Sequence, residues 1–306
     1  MTYATAVRRR VDRIESEVQT DVGRNIEPLC AAARGGLWGA ASALATAQTC
    51  RVGLITGFFV PMASPPAAET DGPAGAALLA RGLVELGIPS RLATDEPCRN
   101  ACSVALAAAG AAEVAVDTAA IGVPLDPIIE TWRAAGITHA VSIERCGRSR
   151  DGTPRNMRGE QIDAYTAPLD DLFAAGPWET IAIGDGGNEI GMGALPPSLI
   201  ARCVEHGETI AAVTPARHLI VVGVSHWGAY ALIGALALIR EDWRGRLLQC
   251  LDASLDRHIV EVMLLDGPAV DGVSRRQALT IDNFGLALHH RKLDMIRALV
   301  EGRDEL

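Results

Sequence analysis

Lysine is nearly missing from this 306-residue sequence, since of 28 basic residues only Lys292 is not an arginine. A phosphate-binding loop ending in Gly-Lys-Ser/Thr is therefore excluded. Schiff-base chemistry, including the pyridoxal phosphate kind, would have Lys292 alone to draw on and is not expected. Positive charge is also short overall. A net charge of −9 and a pI near 5.3 leave nothing to neutralise a phosphate backbone or an anionic bilayer, so neither nucleic acid nor membrane is an expected partner. The seven cysteines (30, 50, 98, 102, 146, 203 and 250) contain no Cys-x-x-Cys pair, which argues against a zinc or redox motif. Free thiols in a reducing, cytoplasmic setting are expected instead. No apolar run follows Arg8-Arg9-Arg10, so no secretory signal is read, and Asp12, Glu15 and Glu17 argue against a transit peptide. No Gly-x-Ser-x-Gly elbow is present, and no clean Gly-x-Gly-x-x-Gly opens the first βα unit. Neither a serine hydrolase nor an NAD enzyme is expected.

What remains has an ordinary globular balance, 49% hydrophobic and 21% charged. Val7, Val11, Ile14 and Val18 recur at helical spacing in the first fifty residues. From residue 51, apolar runs alternate with Ala/Leu-rich stretches. Strands are predicted at Val52–Phe59, Ser90–Ala93, Glu113–Val116, His139–Ile143, Thr180–Ile183 and Leu219–Val224, with helices between them. The span from Leu219 to Ile239 has the length of a membrane helix, but its β-branched first part and Ala/Leu-rich second part, joined by Ser225-His226, predict a strand turning into a helix. This alternation implies a three-layer α/β/α architecture with a mostly parallel, Rossmann-like sheet of about six strands. A single domain is expected, with a helical N-terminal extension (1–50), a sheet core (51–245) and a helical tail (246–306). A polar loop, 266–283, interrupts the tail and is long enough to suggest function.

Ligands of such sheets bind beyond the carboxyl ends of the strands. Three segments there carry chemistry. Residues 183–193, Ile-Gly-Asp-Gly-Gly-Asn-Glu-Ile-Gly-Met-Gly, hold five glycines beside Asp185, Asn188 and Glu189. Those oxygens suit Mg²⁺ (or Mn²⁺ or Ca²⁺), or an ammonium group; a tight turn capped by its own Asp and Asn is the plainer alternative. In Glu69-Thr70-Asp71-Gly72-Pro73, the proline suits a first helical turn that Thr70 or Asp71 would cap, and the free backbone N–H groups there would also favour an anionic ligand such as a carboxylate or phosphate. Residues 144–158 carry five arginines suited to forked pairing with carboxylates, whether those of a substrate or of nearby acidic side chains. Cys146, next to Arg145, is either a structural thiol or one with a lowered pKa. Asp282 and Asn283 either cap a helix or reach the site, and His289-His290 are expected as packing or surface residues.

Gly57-Phe-Phe-Val-Pro61, Glu69-Thr-Asp-Gly-Pro-Ala-Gly75, Ile143-Glu-Arg-x-Gly-Arg148, Asn156-Met-Arg-Gly159 and Gly184-Asp-Gly-Gly-Asn-Glu-Ile-Gly-Met-Gly193 resemble the C-terminal domain of the D-glutamate cyclase family. The resemblance implies interconversion of D-glutamate and 5-oxo-D-proline with release of water, so an acidic amino acid or its lactam is the expected ligand. Long family members add an N-terminal hydro-lyase-like half that this sequence does not contain. Arg145 and Arg158 would hold substrate carboxylates. Asp185, Glu189 and Asn188, with Mg²⁺, would polarise the reacting carbonyl, and Glu144 or Asp71 would move the proton. Thr56, Glu69, Thr70, Asn156, Gly186, Gly187, Asn188 and Ser225 complete the expected contacts. Two alternatives differ in class. One is a non-catalytic ligand-binding or partner subunit of a separately encoded hydro-lyase; the other is a Mg²⁺ enzyme acting on a phosphorylated small molecule. The expected protein partner is either a second copy of the chain or that separate hydro-lyase.

Overall fold

In the computed structural model, which describes residues 3–303, ten strands occur in chain order. They are β1 (Val52–Ile55), β2 (Phe59–Val60), β3 (Ala67–Ala68), β4 (Ser90–Asp95), β5 (Ala115–Ala119), β6 (His139–Ile143), β7 (Glu179–Gly184), β8 (His218–Val221), β9 (Thr280–Ile281) and β10 (Phe284–Gly285). Six form one parallel sheet in the order β5-β4-β1-β6-β7-β8. The other four make two short hairpins. The architecture is the expected three-layer α/β/α one. Taken in chain order, the six strands run 3-2-1-4-5-6, so the order in which strands are added across the sheet reverses between β1 and β6. A crevice opens at such a switch point beyond the strands' carboxyl ends.

The first strand is shorter than predicted. Gly57 follows β1 with φ +106, and a Cβ there would lie 2.5 Å from Thr94 Oγ1. The chain therefore leaves the sheet at Thr56, and Phe59–Val60 pair with Ala67–Ala68 instead. At the third strand, pairing starts at Ala115 rather than Glu113.

Leu219–Ile239 resolves as strand, turn and helix. Ser225–Ile239 is a helix buried on all sides, which is why its sequence is apolar all round. Among the described residues no helix is long and apolar enough to cross a membrane. Around the Ser225–Ile239 helix pack the helices Tyr3–Val18, Gly36–Thr46, Pro73–Glu85 and Leu286–Glu301. The N-terminal repeat behaves as its spacing predicts, with Val7, Val11, Ile14 and Val18 all buried in this core. Buried Glu15 accepts the N–H groups of Gly35 (2.8 Å) and Leu37 (2.9 Å), fastening the start of the helix Gly36–Thr46. Lys292 donates to Glu17 O (2.6 Å) and Thr20 Oγ1 (2.7 Å), so it ties the tail helix to the N-terminal one.

His289 is fully buried. Its Nδ1 accepts from Trp227 Nε1–H (2.8 Å), while its Nε2 lies 3.2 Å from the carbonyls of Ile281 and Phe284. This geometry holds the neutral Nε2–H tautomer, because a proton on Nδ1 would oppose the indole N–H. Burial, with His226 nearby, pulls the His289 pKa down to about 4. A histidine with a depressed folded-state pKa contributes stability that is present above its unfolded value, near 6.5, and is lost as pH falls towards 4. The stability advantage of the wild type over His289→Gln should therefore shrink by about 3 kcal/mol between pH 7 and pH 4. Chemical denaturation of both proteins across that range checks it. An advantage that stays constant contradicts the neutral, buried assignment.

Candidate functional site

A cavity of about 330 Å³ opens at the switch point, a volume suited to a small molecule. Glu144 follows β6, and Asp185 follows β7. Glu69 arrives from the β3 hairpin, Asp282 from the turn between β9 and β10, and Arg24 from the turn before the helix Glu27–Ala32. Arg158 and Arg275 line it too, with Asn156 and Gly272. Thus the loop 266–283 does contribute, and Asp282 reaches the site rather than capping a helix.

Beneath the cavity the carboxylates crowd. Asp71, Glu144 and Asp185 each offer an oxygen, all within 4.8 Å of one another, and all three residues are buried. Asp71 Oδ1 accepts from the Gly72 N–H (2.7 Å), whereas Oδ2 is buried with no partner. Neither Thr70 nor Asp71 caps the helix Pro73–Glu85, whose N-cap is Gly72. Gly72 has φ +85, and a Cβ there would fall 2.8 Å from Thr56 Oγ1 and 2.9 Å from the Glu144 side chain; glycine permits this close approach. Glu144 itself has φ +44, a strained value for a residue with a side chain, and strain of this kind concentrates at working sites. Its Oε2 accepts from Ser225 Oγ–H at 2.5 Å, and Asp185 Oδ2 accepts from the Ser225 N–H at 3.0 Å. Glu69 Oε1 has no partner.

The electrostatics follow from this crowding. Burial, then Asp185, Glu189, Asp71 and Glu69, hold the Glu144 carboxyl well above the usual carboxylate range. Burial and then Asp282, Asp71 and Asp185 do the same to Glu69, against the opposing pull of Arg24. Asp71 is pushed up to about 7 by burial and Asp282, with His226, the Gly72 N–H and Arg24 opposing. Asp185 is raised by burial, although Arg24 beside it pulls the other way. Several like charges so close are relieved by bound protons or by a cation. On the far side of Ser225, His226 Nε2 meets Asp256 at 2.6 Å, and His290 meets the other Asp256 oxygen at 3.1 Å. Burial lowers the His226 pKa, but Asp256 outweighs it and the net shift is upward.

Several residues singled out in the sequence take other roles. Glu189 is not a free ligand: its two oxygens accept the N–H groups of Asp185 (3.0 Å), Gly186 (2.6 Å) and Gly187 (2.7 Å). The glycine-rich turn thus cradles its own carboxylate, and Gly186 and Gly187 present no amide to a ligand. Asn188 lines the cavity, but its amide donates to Arg155 O (2.9 Å). Thr70 Oγ1–H is spent on Thr280 O (3.0 Å). Arg145 is turned away from the cavity. Its guanidinium is buried, sits 2.6 Å from Asp95, and donates to Gly57 O (2.7 Å) and Ala167 O (2.6 Å). Of the other arginines in this loop, Arg148 pairs with Asp170 and Asp171, and Arg155 with Asp151. Of the five, Arg158 faces the cavity. Cys146 is buried and its thiol donates to Arg155 O (3.2 Å), and burial pushes its pKa up to about 12, so its surroundings are those of a structural thiol.

Arg24 was invisible from local pattern. It lies in the short stretch between the helices Tyr3–Val18 and Glu27–Ala32, and only the turn signal Gly23-Arg24-Asn25 marks it, with φ +98 at Gly23 and +59 at Asn25. Its guanidinium is paired with Asp185 and, at 2.8 Å, with Asp282.

Fold and site together define a doubly wound α/β protein with a carboxylate-floored, arginine-walled pocket at its switch point. The chain belongs to the family described as D-glutamate cyclase-like, C-terminal, whose model matches residues 14–300. Human D-glutamate cyclase, mitochondrial, is 28% identical over 287 residues, an alignment covering 81% of this chain and 45% of the human protein. The chain therefore spans less than half the length of that relative.

Proposed function

We propose that the chain is a lyase that interconverts an acidic amino acid and its lactam, D-glutamate and 5-oxo-D-proline. The observation that carries this reading is one small cavity holding buried carboxylates at its floor and arginines on its wall. An acidic amino acid needs both, because its ammonium pairs with carboxylates and its carboxylates with guanidinium forks.

In ring closure the amine nitrogen bonds to the γ-carbonyl carbon, and one γ-oxygen leaves as water. Two protons pass from nitrogen to that oxygen, and net charge is unchanged. Such a reaction needs groups that take and return protons in a dry site. Glu69, which lines the cavity and carries a buried oxygen with no partner, takes and returns them. Arg158 at the exposed edge holds the α-carboxylate. Ser225 fixes the orientation of Glu144 and Asp185 through its hydroxyl and its N–H.

A divalent cation fits Asp71, Glu144 and Asp185, which offer hard oxygens, and Asp71 also carries a buried oxygen with no partner. These three would hold it, in place of the Asp185, Asn188 and Glu189 set suggested by the sequence. When bound, Mg²⁺ or Mn²⁺ would supply charge stabilisation for the developing oxyanion. The purified protein, incubated with D-glutamate or 5-oxo-D-proline with and without Mg²⁺ or Mn²⁺ and resolved by chiral chromatography, should form the other compound. Activity that appears only when a separate hydro-lyase protein is added would favour the partner-subunit alternative.

A further inference from the structure

Arg24 occupies a telling position. Asp185 spends Oδ2 on the Ser225 N–H, so Oδ1 is the oxygen left to face a ligand, and Arg24 Nη1 sits on it. The second Arg24 nitrogen, Nη2, holds Asp282. The backbone beneath is fixed, since Asp21 Oδ1 accepts the N–H groups of Arg24 (3.0 Å) and Ile26 (3.4 Å). Any rearrangement therefore falls to the side chain, which lines the cavity and keeps 19% of its surface exposed. The guanidinium and a cation bound by Asp71, Glu144 and Asp185 would compete for the same Asp185 oxygen. Two further observations support an occupant besides Arg24: buried Asp71 Oδ2, beneath the pocket, and buried Glu69 Oε1, on a residue that lines it, both lack partners.

We propose that Arg24 serves the pocket in two ways, as counter-ion to Asp185 when no cation is bound and as a clamp on a substrate carboxylate when one is. This rests on the cation reading given above. Binding of the cation frees the guanidinium from Asp185, while Asp282 keeps it at the cavity wall. Its planar fork then matches a carboxylate, which the acids of the floor would otherwise repel. Cation and acidic ligand thereby reinforce each other through one residue, a coupling of the ordinary allosteric size.

The test exploits opposite signs. In Arg24→Gln the competitor is gone, so Mn²⁺, followed by the electron paramagnetic resonance of the free ion, should bind about tenfold tighter. The same variant at saturating Mn²⁺ should bind D-glutamate about tenfold more weakly in calorimetry, because the clamp is lost. Arg24→Lys keeps the charge and loses the fork, so its Mn²⁺ affinity should stay near that of the wild type while D-glutamate affinity falls. A purely structural role would weaken both ligands or neither, and that result in Arg24→Gln overturns the proposal. If the wild type binds no Mn²⁺ at all, the cation reading fails together with it. If the wild type binds Mn²⁺ but the two affinities do not move apart, only the role of Arg24 fails.

Discussion

Glu144→Gln should lose turnover by about three orders of magnitude and yet melt at a higher temperature than the wild type. The loss follows from removing one of three converging oxygens and the group that Ser225 holds in place, against the range seen for proton-transfer and metal-ligand groups. The gain follows from the same crowding. A carboxyl whose pKa is raised by burial and by like charges is a group that the folded state tolerates poorly when ionised. A neutral amide of the same shape removes that cost and can still accept from Ser225. A rise on the order of 2–4 °C is expected for a chain of this size. Differential scanning calorimetry and a chromatographic assay on one preparation measure both. A variant that melts lower, or that keeps its turnover, contradicts the placement of Glu144 in a strained, charge-crowded site. Such opposition between stability and activity is general where sites store unfavourable interactions.

Arg145→Met should destabilise the fold by about 3–5 kcal/mol, the cost of leaving a buried charge without its partner. Asp95, fully buried, would lose its cation and keep the Ala167 N–H (3.3 Å), and the carbonyls of Gly57 and Ala167 would lose their donor. That is a large share of the stability an ordinary domain possesses. Arg158→Met should leave stability nearly unchanged, because the side chain is exposed and its bond to Val273 O (3.1 Å) lies at the surface. Its effect should appear instead as weaker binding of the acidic ligand. Urea denaturation of both variants separates the roles. Equal, small losses of stability would mean that Arg145 is not the buried tie described here.

The contrast between these two arginines shows what the chain's letters reveal and what they hide. Periodicity and β-branched runs are local, so the six strands, the N-terminal helices and the strand-to-helix reading of 219–239 were legible. The end of β1 was not, because Gly57 turns the chain inside an otherwise continuous apolar run. Acids and arginines gathering after the strands were also legible, and Glu69, Glu144, Asn156, Arg158, Asp185 and Asn188 do line one cavity. The partner of each charge was not legible, since partnership is set by distant segments. Arg145 finds Asp95 on β4, and Arg24 finds Asp282 across 258 positions of chain. Glu189 misled for the opposite reason. Its partners are immediate neighbours, but nothing in the composition of the turn says whether its amides point at a ligand or at the turn's own carboxylate.

The central claim is that this carboxylate-floored cavity closes and opens the lactam ring of an acidic amino acid. Isotope transfer tests it most directly. In H₂¹⁸O, 5-oxo-D-proline and the purified protein with Mn²⁺ should yield D-glutamate carrying ¹⁸O in its γ-carboxylate, and Glu144→Gln should yield almost none. If the wild-type protein gives no labelled glutamate, or if Glu144→Gln gives as much, the account is wrong.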